Sequence, residues 1–236
     1  MKKNIISRFA IVVLAAGSVS GCTYKTGSGD IATETRTIAS FNGVSVSGNF
    51  NVEIRTGEKQ EVVIEADDNL IKNIKTEVVN GTLRIKTTDR NLRNAHFNVH
   101  ISVPSIDNLS ASAAANIEVK NTLNSEKAVT FKASSAANIT ADIKSPEVTA
   151  DASSAAEIKL TGHTRNFTAT TSSAATIKAI DLLAENTVIS SSSGASAHVH
   201  ASVSLDATAS SGADITYRGG ANVKKSISSG GEVKAD

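Results

Sequence analysis

The sequence predicts an all-β protein, a β-solenoid of stacked parallel coils with more irregular strands before it. Three observations carry that expectation. A short Ser/Ala/Gly motif closed by a small or apolar residue recurs through the second half, its closing positions 22, 19, 19, 20, 18 and 18 residues apart. The first half alternates apolar and polar residues with period two, as half-buried strands do. Beyond an N-terminal leader, a single short segment carries a helix start signal.

The leader comes first. Lys2, Lys3 and Arg8 form a positive end, and the run from Phe9 to Ala16 is apolar but too short to span a bilayer. Val19-Ser20-Gly21-Cys22 then has the form of a bacterial lipobox: a branched apolar residue, two small residues and a thiol to take the lipid. The alternative is an ordinary signal peptide with a stray cysteine. The chain has one Cys, and it falls where the motif needs it. Residues 1–21 are therefore read as a lipoprotein signal peptide and Cys22 as the lipid attachment site. Several acyl chains on one cysteine give stable anchoring. Thr23 follows Cys22 where enterobacterial sorting would use Asp for inner-membrane retention. By resemblance to that system, the expected address is the outer membrane of the cell envelope.

Residues 22–36 contain Gly27, Gly29 and several Thr without apolar periodicity, and are read as a lipid-anchored flexible tether. Residues 37–108 are read as strand-rich. Val44 and Val46, then Phe50, Val52 and Ile54, then Phe97, Val99, Ile101 and Val103 alternate with polar residues. Asn80-Gly81 lies between two such runs, and both residue types tolerate positive φ, which predicts a hairpin. Asp67-Asp68-Asn69 before Leu70, Ile71 and Ile74 is placed to cap one short helix. The sequence leaves two arrangements open for this region: irregular coils continuing the solenoid, or a lid over its mouth.

Residues 109–236 hold the repeats. The closing positions are Ile117, Ile139, Ile158, Ile177, Ala197, Ile215 and Val233, and a second column runs through Val129, Val148, Phe167, Leu205 and Val223. One coil cannot bury its own inner face, whereas stacked coils bury a continuous column. The Ser-Ser-Ala-Ala segments fit a tight corner with no room for bulk, where Ser hydroxyls can also satisfy backbone groups. The regular apolar columns argue against a glycosylated Ser/Thr stalk. Lys225 takes an inward position in the last coil, as expected of a cap that discourages another chain from adding on.

Composition narrows the function. After the first 22 residues the chain has 21 basic and 23 acidic residues, a net charge of −2. A nucleic-acid-binding protein needs a basic excess, so no nucleic-acid partner is expected. A single cysteine excludes an internal disulfide and a thiolate zinc site, and no cofactor is implied. Aromatics make up 3% of residues, so Val, Ile, Leu and Ala must build the core.

Catalytic and binding candidates are few. No Ser sits in a Gly-x-Ser-x-Gly elbow. His198 and His200 share a strand face but stack beside cations, which disfavours a metal. Asp214 and Glu232 occupy one repeat position on successive coils, about 5 Å apart by strand spacing, close to the carboxyl separation of a retaining glycosidase. Lys159, Lys178, His198 and Arg218 make one face slightly basic. That face suits acidic polysaccharide or lipopolysaccharide, or is simply solvated. With Tyr24 and Tyr217 as the only tyrosines and no Trp, stacking platforms for sugars are scarce.

Taken in order, the lipobox, Gly48-Asn-Phe-Asn-Val-Glu-Ile54, Asp67-Asp-Asn-Leu-Ile71, Asn80-Gly-Thr-Leu-Arg-Ile85 and the Ser-Ser-Ala repeats resemble a known family. It is the putative auto-transporter adhesin, head GIN domain family of bacterial envelope proteins, and the resemblance covers about residues 38 to 230. It implies a right-handed, single-stranded parallel β-helix and an exported, often lipid-anchored protein. Its name implies adhesion, and it offers no catalytic residues to carry over. The expected function is a non-enzymatic envelope adhesin or surface-interaction module, facing polysaccharide or protein. The competing reading is a glycoside hydrolase or lyase acting along the β-helix groove. A polar rod with a Lys-capped end favours a monomer.

Overall fold

The computed structural model describes residues 24–89 and 91–236. The leader and Cys22 lie outside the described residues. Each repeat folds as strands meeting at a tight corner. In Ser134-Ser135-Ala136-Ala137 the central residues have φ of 53° and 59°, and the Ala137 amide donates to Ser134 O at 3.2 Å. Two successive residues at positive φ define a type I′ turn. That region penalises a Cβ, so the corners use Ser, Ala and Gly. The corners also bond to one another. The Ala114 amide donates to Ser135 O, Ala136 to Ser154 O, Ala155 to Ser173 O, and the series continues through Gly212 to Ser229 O, each at 3.0–3.1 Å. This backbone ladder forms because the left-handed corner aims each amide at the carbonyl of the next coil. Hydroxyls add the bonds expected of them at some corners: Ser112 Oγ donates to Val46 O at 3.4 Å and Ser191 Oγ to Ala195 O at 3.3 Å.

The strands between corners stack parallel and in register. Ile117, Ile139, Ile158, Ile177, Ala197, Ile215 and Val233 form one column, six turns from end to end. All are buried, with exposures of 0–7%. Each fully buried Ile contributes roughly 1.5–3 kcal/mol over an exposed one. The second column is also in register, and Thr187 fills the gap between Phe167 and Leu205. The buried Thr187 hydroxyl donates to His200 O at 2.7 Å, which satisfies the one polar group in that column.

The coil pattern extends upstream, though not in chain order. Gly43–Ser47 pairs in parallel with Asn108–Ser112, and Asn51–Thr56 with Asn116–Val119. Outside them lie Thr82–Thr87 on Gly43–Ser47 and Phe97–Val103 on Asn51–Thr56, again parallel. The rung of residues 43–56 is therefore sandwiched between two later segments. Beyond it the sheet turns antiparallel. Ile74–Val79 pairs with Thr82–Thr87 across the predicted Asn80-Gly81 turn, whose φ values are 50° and 74°. Glu61–Asp67 lies against Phe97–Val103, and Ile31–Thr35 against Glu61–Asp67. Both arrangements left open by the sequence occur together: parallel coils, then an antiparallel layer at their end.

The expected short helix forms, and its expected cap does not. The short helix is a 3-10 turn, Ile71–Asn73, with Leu70 at its start and no side-chain cap. Asp67 and Asn69 instead grip the incoming chain. Asp67 Oδ1 accepts from the Gly29 amide and Oδ2 from the His96 amide, both at 2.8 Å. Asn69 Nδ2 donates to Thr26 O at 2.8 Å. The segment expected as a tether is accordingly held from residue 24 onward. Lys25–Thr26 pairs with Leu92–Arg93, and the Arg93 guanidinium lies 3.5 Å over the Tyr24 ring.

The Asp67 clip gives the fold an acid sensitivity. The His96 amide first, then that of Gly29, hold the Asp67 carboxyl below its ordinary value, against the opposing effect of burial. Its stabilising contribution is complete above the unfolded value of about 3.9. It is lost as pH falls through the lower folded-state value. Asp67→Asn is expected to lower stability at neutral pH and flatten that acid limb. Urea melts across the acid range check this, and an unchanged acid limb would reject it.

At the other end, Lys225 is in register with the buried Ala207, as the inward reading requires. Its ammonium donates to Val233 O at 2.9 Å and sits 5.1 Å from the Tyr217 ring centroid. Val223 and Ile227 beside it are 36% and 51% exposed, so the charge guards an open apolar edge. Lys225→Val is expected to produce a concentration-dependent dimer, read by light scattering. A variant that stays monomeric throughout would remove the cap reading.

Candidate binding surface

The structure places Lys159, Lys178 and His198 on successive rungs of one outward column, with Arg218 in the next column beside His200. Two of these four charges are occupied. Lys178 Nζ lies 2.7 Å from Glu157 Oε2, and Arg218 Nε donates to Asp236 Oδ2 at 3.1 Å. Lys159 and His198 remain exposed to solvent. Cross-rung ion pairs form elsewhere: Lys132 with Asp151 at 3.8 Å and Lys224 with Asp206 at 2.9 Å. At such exposure each adds about 1 kcal/mol at most.

Asp214 and Glu232 are in register, as the repeat alignment predicts. Both are exposed on the last two rungs, and Glu232 Oε2 lies 3.4 Å from Lys234 Nζ. His198 and His200 do not converge on a third ligand. His200 Nδ1 is 3.2 Å from Ala184 O, and the described residues contain no group of three or more His, Cys, Asp or Glu placed to hold a metal.

A trough of about 510 Å³ runs along the solenoid's third corner. Its floor is Ser125, Ser145, Thr164 and Ala184, one residue per rung. Ser145 Oγ lies within this corner, 2.8 Å from Lys127 O and 2.9 Å from Glu147 O, so that its one proton is shared between them, and Thr164 Oγ1 donates to Asn166 O at 3.1 Å. These bonds turn small side chains inward, so the residues on either side splay outward as walls. One wall carries Asn124, Lys144, His163 and Leu183 in register. The other carries Glu126, Pro146, Arg165 and Glu185. His200 and Ser202 line the far end. Gly162 lies at the approach, with φ of 109° and the Ile143 backbone pressed against its α-carbon.

Sequence reasoning missed this trough. Its walls fall outside the Ser/Ala motif, and the third corner has no repeated signature. Pro146, Arg165 and Glu185 sit at the corner, where the strand ladder skips one residue per rung with or without a proline. The available signal was the recurrence of charged residues about twenty positions apart outside the motif: Glu126, Arg165 and Glu185 with Pro146 between them.

Fold and surface together define a class: an elongated β-solenoid whose outward side chains stand in columns, with one long open trough. Residues 40–221 match the family described as putative auto-transporter adhesin, head GIN domain, and the chain belongs to that family. Solved structures agree on the fold. A putative adhesin from Bacteroides fragilis NCTC 9343 superposes with a TM-score of 0.82 at 19% identity, over 89% of this chain and 98% of that one. A putative adhesin from Parabacteroides merdae ATCC 43184 gives 0.73 at 18% identity, over 91% and 100%. A putative lipid binding protein from Parabacteroides distasonis ATCC 8503 gives 0.73 at 19% identity, also over 91% and 100%. Among curated proteins no sequence matches this chain.

Proposed function

We propose that this chain is a lipid-anchored protein of the bacterial cell envelope, held at the outer membrane through Cys22. There it acts as a non-enzymatic adhesin, presenting its rod to polysaccharide or protein. The observation that carries the reading is the rod itself: polar side chains repeated at strand spacing along a rigid, fully registered stack. Such a surface suits a partner that also repeats. The leader and lipobox supply the address, and the family's description supplies the adhesive role. Lys159, Lys178, His198 and Arg218 stand as surface candidates outside the trough lining.

Two measurements test this. Cys22→Ala is expected to move the chain from the membrane fraction to the soluble fraction, and retention on the membrane would reject the anchor. Glycan arrays and pull-downs from envelope and host material are expected to return a saccharide or protein ligand. A screen that returns neither would overturn the adhesin reading.

A further inference from the structure

We propose that the third-corner trough binds a segment of acidic polysaccharide, with Lys144 and Arg165 as its principal anion contacts. The inference rests on the adhesin reading and gives it a site and a ligand class. The charges come first. Much of the rod's cationic surface is already neutralised: Lys120 by Glu53 and Glu118, Lys132 by Asp151, Lys178 by Glu157 and Arg218 by Asp236. Lys144 and Arg165 belong to none of the ion pairs among the described residues, although Glu126 and Glu185 line the same trough. They stand on opposite walls of adjacent rungs, with His163 next to Lys144. An anion lowered between the walls meets a cation from each side. Arg adds a planar fork that matches a carboxylate or sulfate.

Shape selects the kind of anion. The trough crosses five rungs, about 19 Å at the spacing of neighbouring strands, and opens along the rod. A linear polymer can lie in it and run on past either end. Pro146 and Leu183, the latter 45% exposed, offer apolar surface to the C–H faces of sugar rings. A flat bilayer cannot reach a recessed floor. Glu126 and Glu185 on the Arg165 wall oppose a dense anionic sheet, while a chain with separated carboxylates can place its charges between them.

The test uses the chain carrying Cys22→Ala, which removes the acyl site and leaves every described residue in place. Its binding is measured to polygalacturonate, heparin, neutral dextran and phosphatidylglycerol vesicles. Binding to polygalacturonate and not dextran is expected. Lys144→Ala with Arg165→Ala should weaken it by about tenfold or more, with thermal unfolding unchanged because both side chains are exposed. Lys159→Ala with Lys178→Ala should change it by less than about twofold. Heparin binding with the same dependence supports the same site with sulfate in place of carboxylate. Loss of binding only in the Lys159/Lys178 variant removes the trough and leaves the adhesin reading standing. Trough-dependent binding to vesicles alone overturns the polysaccharide assignment. Binding to none of the probes also overturns the inference, while the wider glycan and protein screen still decides the adhesin reading.

Discussion

Phe167→Ala is expected to destabilise the protein by about 3–5 kcal/mol, the usual cost of emptying a buried aromatic site. Phe167 is 1% exposed and sits mid-rod, in register with Val148 below and Thr187 above. Its neighbours cannot collapse into the void, because each is fixed by hydrogen bonds to the rungs on both sides. In a stacked array stability is a sum of rung and interface terms. A void here weakens two interfaces at once. Val233→Ala removes fewer atoms from a rung with a neighbour on one side only, and should cost clearly less. Guanidinium melts of the two variants measure the contrast. A loss under about 1 kcal/mol for Phe167→Ala would mean that the core repacks freely, against the registered columns described above.

Gly162→Ala is expected to cost about 3 kcal/mol or more, through the backbone rather than the core. With φ at 109°, any L side chain is strained. An added Cβ would also drive into the Ile143 carbonyl oxygen and lie 2.9 Å from its carbon and nitrogen. Those atoms belong to the parallel ladder and cannot retreat without breaking it. The protein contains its own control. Gly194 also has positive φ, 67°, but a Cβ there meets nothing within 4 Å. Ala already occupies the equivalent corner position at 136, 155 and 174, with φ of 59–60°. Gly194→Ala should therefore cost about 1 kcal/mol or less. Equal losses in the two variants would show that positive φ alone, and not the close approach, sets the requirement at Gly162.

The sequence exposed what repeats and hid what does not. The isoleucine column and the tight corners were legible because one physical demand, burial beside a tight turn, recurs at each coil and selects the same residue types; that the corners are left-handed was not. Thr187 escaped because a hydroxyl in an apolar column is intelligible only once its His200 partner is in place. The Asp67 grip on residues 26–29 read as a helix cap because Asp and Asn accept backbone N–H bonds in either setting. Which amides they meet is decided by chain folded in from residues far away. The same holds for the trough: Lys144 and Arg165 come from different coils, and only the inward turn of Ser145 and Thr164 makes them face each other.

The rung of residues 43–56 bears on the export proposed above. A chain that crosses a membrane N-terminus first delivers this segment before either of its stacking neighbours. It must wait with both strand edges unpaired until residues 82–103 and then 108–119 emerge. Assembly of the N-terminal half is thus tied to late arrivals, whereas the C-terminal coils can add one by one onto a finished neighbour. On the proposed export route, the segment that leads through the translocation machinery is among those that need the most of the remaining chain before they can settle.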